Sequence, residues 1–235
     1  MVYDKRLDGR KFDELRKMEA KVGVVERAAG SAMFKIGKTI AIAAVHGPRV
    51  LYPQVFQDPN KGVLRCNYNM LAFSGSGERV RPGPSRRSKE ISLVTEKALL
   101  PLVDLSAYAG SVVDVFVELI QTDSGTRCAG ITAAAMALAD AGIPMKDIVS
   151  SVAVGIVGGK IVLDLTKEEE DHPEGATDIA TAISTRTGQI TLLQMDGEIS
   201  KEDLKKALEL AKEGCAKIKE LQVKALKEKY GVKSD

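Results

Sequence analysis

The sequence contains no tryptophan and few other aromatic residues, with five phenylalanines and five tyrosines among 235 residues. Any core must therefore be built mainly from alanine, valine, isoleucine and leucine. The chain also lacks a charge bias: 34 basic against 32 acidic residues give a net charge of +2, so overall electrostatics do not indicate a nucleic-acid-binding protein. We find no apolar run long enough to span a bilayer and no signal-like N-terminus, so we expect a cytoplasmic protein without a membrane partner.

Cysteine is scarce as well, with only Cys66, Cys128 and Cys215. Their odd number and wide spacing exclude a disulfide framework and fit no cysteine metal site. A reducing compartment suits such thiols, and two of them fall on apolar helical faces where they act as small hydrophobes. The two histidines, His46 and His172, lie far from each other and from every cysteine, and form no histidine cluster. The sequence therefore predicts no histidine-based metal site.

The hydrophobic pattern predicts an α+β protein that forms one domain over residues 1–235. Residues 1–14 are charged and should extend over the surface, 74–84 should form a basic loop, and 167–171 an exposed acidic segment. Predicted strands lie within 15–45, 63–73 and 112–120, and two predicted hairpins join 148–157 to 160–164 and 177–185 to 189–195. Predicted helices run from Ser85 or Ser88 to about 102, over 127–141, and from Ser200 to about 230.

The most informative segment is Gln121-Thr-Asp-Ser-Gly-Thr-Arg127, which connects a predicted strand to a helix of small residues. The start of a helix presents free backbone N–H groups, and its dipole attracts anions. Arg127 adds a forked cation suited to phosphate oxygens. The segment thus predicts a phosphate site formed by Ser124, Gly125, Thr126 and Arg127. An ordinary turn and helix cap would produce the same pattern, so this segment alone leaves both interpretations open.

Two further charged segments matter. A basic stretch contains Arg86 and Arg87 within a loop rich in proline and glycine, which fits either a solvated surface loop or a loop that binds a nucleic-acid backbone.

Asp171 ends an acidic run, and Asp178 opens an apolar strand after a short loop. A pair of carboxylates can hold a divalent cation, or one with a raised pKa can donate a proton. Acidic surface loops and turn aspartates are common, so this pair alone also fits two carboxylates that neither bind a metal nor take part in catalysis.

An anion cradle, a basic loop and paired carboxylates together suit phosphoryl chemistry. The chain also resembles the RNase PH family. The matching segments occur in the family's order and cover nearly the whole chain: 8–10, 30–32, 63–65, 84–87, 121–127, 137–144, 170–178 and 192–195. The resemblance implies the RNase PH fold of β-α-β units, which is ribosomal protein S5 domain 2-like.

Within the family, the loop 46–53 and the segment 84–87 are most similar to the catalytic RNase PH-like subunits of archaeal RNA exosomes. This resemblance implies a 3′→5′ phosphorolytic exoribonuclease, in which inorganic phosphate is the co-substrate and nucleoside diphosphates are released from RNA. It further implies single-stranded RNA as the substrate. The chain would form a hexameric ring in which it alternates with a non-catalytic RNase PH-like partner subunit, and RNA-binding cap proteins would bind the ring.

The resemblance also assigns residues. Phosphate binding falls to the segment from Ser124 to Arg127, and RNA binding to Arg65, Arg86 and Arg87. Asp171 and Asp178 are implied to support protonation of the leaving 3′-oxygen and to hold Mg²⁺ or Mn²⁺, with Arg127 assisting catalysis. The two aspartates are one residue farther apart here than in the family, so the two roles are not divided between them.

Two other functions stay open from the sequence. A homohexameric RNase PH that trims tRNA 3′ ends would use the same chemistry. A non-catalytic RNA-binding ring subunit would share the fold, but such a subunit should lack the aspartate pair or the Gly-Thr-Arg motif, and this chain contains both.

Overall fold

The computed structural model describes residues 3–77, 79–173 and 175–231. Over these described residues, two sheets and four α-helices form an α+β architecture, which confirms the predicted fold class. The strands are β1 Met18–Val22, β2 Gly30–Ile36, β3 Thr39–Val50, β4 Val63–Met70, β5 Ser111–Gln121, β6 Val149–Val157, β7 Lys160–Leu163, β8 Ala176–Ser184 and β9 Ile190–Asp196. The helices are α1 Arg86–Leu99, α2 Thr126–Asp140, α3 Lys167–Glu170 and α4 Lys201–Lys229.

The first sheet has the strand order β1-β2-β3-β5-β4. Its pairs are antiparallel except β4 and β5, which run parallel and are connected through α1. Parallel neighbours need such a crossover because a short turn can join only antiparallel strands. The second sheet, in the order β7-β6-β8-β9, is antiparallel throughout.

Both predicted hairpins are present in the second sheet. Gly158 and Gly159 connect β6 to β7 with positive φ angles of 52° and 77°. Glycine adopts this left-handed conformation without a steric penalty, which is why the Gly-Gly pair marks the turn in the sequence. Gly188 has a φ of 71° in the turn between β8 and β9.

Helix α2 lies between the two sheets and contacts strands of both. All of its residues are buried except Arg127 and Ala139, so it has no polar face. Its many alanines allow close approach, and Gly130 lies directly against Val117 and Tyr68. One continuous apolar cluster contains residues from both sheets, as the predicted aliphatic core requires.

The predicted helix starts are confirmed at two positions. The Ser85 hydroxyl accepts a hydrogen bond from the Ser88 amide and forms a capping box at the start of α1. Ser200 likewise accepts from the Asp203 amide at the start of α4. Such caps satisfy amide groups that have no partner within the helix. No helix among the described residues is long and apolar enough to cross a membrane.

Two surface predictions are confirmed only in part, because each segment has buried side chains among mostly exposed ones. Tyr3 and Arg6, which lie in the N-terminal segment expected on the surface, are buried. The acidic segment 167–171 is a short helix whose central residue, Glu169, is also buried. Arg6 pairs with Glu169 at 2.7 Å, and the Tyr3 hydroxyl donates to the same carboxylate at 2.6 Å. Burial raises the pKa of Glu169, but the hydrogen bonds from Arg6 and Tyr3 outweigh it and hold the pKa at about 2.

We predict that the two sheets unfold together. A Cβ at Gly155 in the second sheet would lie 1.8 Å from the Thr177 carbonyl oxygen, so Gly155→Ala should destabilise the fold by about 3 kcal/mol. Of the five tyrosines, Tyr68 lies in the first sheet and none lies in a strand of the second, although Tyr3 packs against Val157 and Val162. In urea unfolding, tyrosine fluorescence and circular dichroism should therefore report the same lowered midpoint. Gly77→Ala, where no atom lies within 4 Å of the added Cβ, is the control. Separate midpoints for the two signals would contradict a single folding unit.

Candidate active site

The turn between β5 and α2 has two consecutive residues in the left-handed conformation. Ser124 has a φ of 57° and Gly125 a φ of 62°. Glycine tolerates this conformation, but for serine it costs on the order of 1 kcal/mol. The pair reverses the chain so that α2 leaves directly from the end of β5.

Neighbouring elements hold this strained turn. The Thr39 hydroxyl, at the start of β3, shares its one proton between the carbonyls of Asp123 and Ser124, at 3.0 and 2.7 Å, and accepts from the Asp123 amide at 2.9 Å. The Ser124 hydroxyl donates to Glu170 at 2.6 Å, which connects the turn to α3. A residue in a costly conformation persists only when its surroundings fix it, and here two other elements do so.

The turn leaves the start of α2 available to a ligand. No side chain caps this helix in the described structure. Its first-turn amides and its dipole therefore suit an anion. The Arg127 guanidinium donates to the Gln194 side chain of β9, and Gln194 in turn donates to Glu90 of α1 at 3.1 Å. These contacts hold the Arg127 side chain beside the uncapped start of α2.

Two adjoining cavities form one cleft at this position. They share five charged residues, three cationic and two acidic: Arg87, Arg127, Lys167, Glu170 and Asp178. The predicted phosphate residues, from Ser124 to Arg127, line the first cavity together with Asp178. The structure thus brings the Gly-Thr-Arg turn and the second aspartate of the predicted pair to one site.

Asp178 is poised to hold a proton. It lies near the start of β8, opposite Gly155, and its Oδ1 atom is buried without a hydrogen-bond partner among the described residues. Burial raises its pKa to about 6, and the negative charge of Glu170 adds to the rise, while Arg127 opposes it. An acid with such a pKa can exchange protons near neutral pH.

The other predicted aspartate lies in a different environment. Asp171 is exposed, pairs with Lys167 at 2.7 Å, and lines only the second cavity. Glu170 is the half-buried carboxylate that lines both cavities beside Asp178. The sequence pattern did not predict Glu170, Lys167 or Gln194 as site residues.

The predicted RNA-binding arginines separate into two groups. Arg87 lines both cavities of the cleft. Arg86 is exposed at the first residue of α1, outside both. Arg65 lies on β4, where its Nε donates to the buried carboxylate of Asp114 at 2.6 Å, and it also lies outside both cavities.

The acidic side of the cleft fits a hard cation. Asp178, Glu170 and Asp171 supply carboxylate oxygens, which Mg²⁺ and Mn²⁺ prefer, and the unpartnered Oδ1 of Asp178 offers a ligand atom. Among the described residues, no three histidine, cysteine or acidic side chains form a ready metal cage. A cation here would therefore take its other ligands from water or from substrate phosphates, as Mg²⁺ commonly does.

Comparison with known families gives two matches that together cover most of the chain. Domain 1 of the 3′ exoribonuclease family, RNase PH, matches residues 14–144. Domain 2 of the same family matches residues 147–214. The first match ends after α2, and the second begins before β6, so the cleft residues come from both.

Similar proteins extend this result. The exosome complex component Rrp41 of Methanopyrus kandleri is 49% identical over 96% of this chain and 93% of its own length. The Rrp41 of Thermococcus kodakarensis is 50% identical over 96% and 90%. A chain of the Archaeoglobus fulgidus exosome, with RNA bound to the active site, superposes with a TM-score of 0.78 at 27% identity and covers 92% of both chains. Rice Rrp46 shares the fold, with a TM-score of 0.83 at 22% identity over 94% of this chain and all of its own.

The raised pKa of Asp178 predicts a specific pH dependence. The unfolded chain ionises this carboxyl near its ordinary pKa of 3.8, whereas the folded chain keeps the proton until about pH 6. Stability from this group is therefore present at low pH and lost as the pH rises through 6. In metal-free buffer at pH 7.5, Asp178→Asn should stabilise the protein by up to about 3 kcal/mol. Urea unfolding from pH 3.5 to 8 should show the difference vanish below about pH 4. A variant less stable than the parent at neutral pH would contradict this.

Proposed function

Because the chain belongs to the RNase PH family of 3′ exoribonucleases, we propose that it shortens RNA from the 3′ end by phosphorolysis. Inorganic phosphate is the attacking co-substrate, and nucleoside diphosphates are the products. The observation that carries the proposal is the shared cleft, in which a helix start suited to an anion and a buried carboxyl with a pKa raised to about 6 line the same space.

The cationic side of the cleft suits the attacking group. The first-turn amides of α2, Arg127 and Arg87 together bind an oxyanion rather than a neutral water molecule. The incoming phosphate and the scissile phosphodiester are both negative, so they repel unless cations lie between them. Positioning the two against this repulsion is the main task of a phosphoryl-transfer site.

The acidic side suits the leaving group. The 3′-oxygen released from RNA needs a proton, and Asp178 can supply one because burial and the charge of Glu170 raise its pKa to about 6. Asp178 and Asp171, together with Glu170, would also hold Mg²⁺ or Mn²⁺, which supplies positive charge to the reacting phosphates. The positive charges of Lys167 and Arg127, in the same cavity, partly offset the negative charges of these carboxylates.

RNA would be held by its backbone. Arg87 lies in the cleft, while Arg86 and Arg65 are exposed cations outside it that can contact the preceding nucleotides. Arginine contacts to phosphates position a strand but carry no sequence information. The proposed substrate is therefore single-stranded RNA of any sequence.

The assembly follows from the relatives named Rrp41, exosome complex components about half identical to this chain over nearly its whole length. We propose that this chain is the catalytic subunit of a cytoplasmic exosome ring of the archaeal type. It would alternate with a non-catalytic RNase PH-like partner in a hexamer and would work with RNA-binding cap proteins. A homohexameric tRNA-trimming enzyme remains the second candidate, and a stable, active hexamer of this chain alone would favour it.

Arg127→Glu should abolish phosphorolysis while the fold is retained. The substitution places a negative charge where the phosphate binds, so we expect a loss of at least about a hundredfold in rate. The assay uses 5′-labelled single-stranded RNA, Mg²⁺ and phosphate, with the full chain purified together with its ring partner from the native host. Nucleoside diphosphates are measured by chromatography.

Lys205→Glu, a matched charge reversal on the exposed face of α4, is the control and should leave the rate unchanged. If the unaltered protein shortens RNA equally without phosphate, and no diphosphates form, phosphorolysis is wrong. Normal turnover by Arg127→Glu would remove that residue from the site.

Removal of the divalent cation should stop turnover. We expect a chelator to reduce the rate to background and either Mg²⁺ or Mn²⁺ to restore it, because carboxylate ligands do not distinguish strongly between these ions. Mn²⁺ binding followed by electron paramagnetic resonance should weaken at least about tenfold in Asp178→Ala. Full activity in the chelator would show that the acidic side works without a metal.

A further inference from the structure

Arg16 is a buried arginine that the proposed chemistry does not use. It precedes β1, and only 7% of the surface of this residue is exposed to solvent. Two guanidinium nitrogens bind the Asp164 carboxylate, with Nε to Oδ2 at 2.9 Å and Nη2 to Oδ1 at 2.7 Å. The Arg16 backbone amide donates to the same carboxylate at 2.8 Å. Its remaining nitrogen, Nη1, donates to the carbonyl of Asp123 in the turn before α2.

This last contact reaches the strained part of the phosphate turn. Asp123 immediately precedes Ser124 and Gly125, the two left-handed residues that direct the start of α2 into the cleft. The Arg16 Nη2 atom lies 3.4 Å from the position that a Cβ on Gly125 would take, so the guanidinium lies directly against the turn. Thr39 binds the same Asp123 carbonyl from a different strand.

The partner of Arg16 is itself firmly held. Asp164 connects β7 to α3 in a left-handed conformation with a φ of 55°. Its carbonyl accepts hydrogen bonds from Arg6 at 2.8 Å and Arg10 at 3.0 Å, and Arg6 also forms the buried pair with Glu169 of α3. The N-terminal segment thus joins the phosphate turn to the helix that carries Glu170.

We infer that Arg16 is a positioning residue for phosphate binding, an inference that rests on the proposed function. Its guanidinium, fixed by Asp164, holds the Asp123 carbonyl and so keeps Ser124 and Gly125 in the conformation that aims the α2 amides at the anion. Because Asp164 neutralises its charge, Arg16 acts through geometry and not through attraction for the phosphate. A lysine keeps the charge but cannot bind Asp164 and the turn at once with a planar fork.

The test separates the KM for phosphate from the other kinetic constants. In the phosphorolysis assay, Arg16→Lys should raise the KM for phosphate at least about tenfold and leave the KM for RNA within about twofold. Asp164→Asn is the second variant, which preserves side-chain size and the tolerance of a positive φ, and we expect a smaller rise. Hydrogen exchange of the amides in 123–128 should lose its phosphate-dependent protection in Arg16→Lys.

Lys229→Met is the matched control, because it breaks a partly buried ion pair with Asp140 at the other end of α2. It should lower thermal stability while leaving the KM for phosphate unchanged. An unchanged KM in Arg16→Lys, or equal kinetic changes in Arg16→Lys and Lys229→Met, would overturn the inference and leave only a structural ion pair. If the unaltered protein shows no phosphate-dependent shortening of RNA, the proposed function itself fails, which is a separate outcome.

Discussion

The left-handed turn at Ser124 and Gly125 sets the position of the anion-binding side of the cleft. It points the start of α2 at the same space that Asp178 enters from β8. Because the turn is costly for serine, it depends on contacts from Thr39, Glu170 and Arg16, which belong to three separate parts of the chain. The anion site is therefore a property of the whole fold, although its sequence motif is local.

The remainder of α2 explains why the cleft can draw on both sheets. Because many side chains of α2 are as small as alanine or glycine, strands of both sheets approach this helix closely. One apolar cluster extends across the helix and both sheets. Arg87 from the first family domain and Asp178 from the second then meet over its N-terminus. A larger side chain on α2 would separate the cationic and acidic sides of the site.

Local signals could be predicted from the sequence, and long-range pairings could not. The Gly158-Gly159 hairpin, the caps at Ser85 and Ser200, and the strand–turn–helix at Gly125 each follow from neighbouring residues and are present. Arg6 and Glu169 each look like surface charges, and only their pairing across 163 positions makes burial possible. Glu170 was missed for a related reason, since its position beside Asp178 depends on α3 and on its long-range hydrogen bond from Ser124, 46 positions away.

The three thiols have a practical consequence. All are buried, and burial raises the pKa of each, that of Cys128 to about 12, so little reactive thiolate is available in the folded protein. Maleimide dyes should not react with the buried native cysteines and should modify only a cysteine introduced on the surface. A single fluorophore on a cysteine introduced in place of Ser76, beside the cleft, could then report substrate arrival in real time without removal of any natural cysteine.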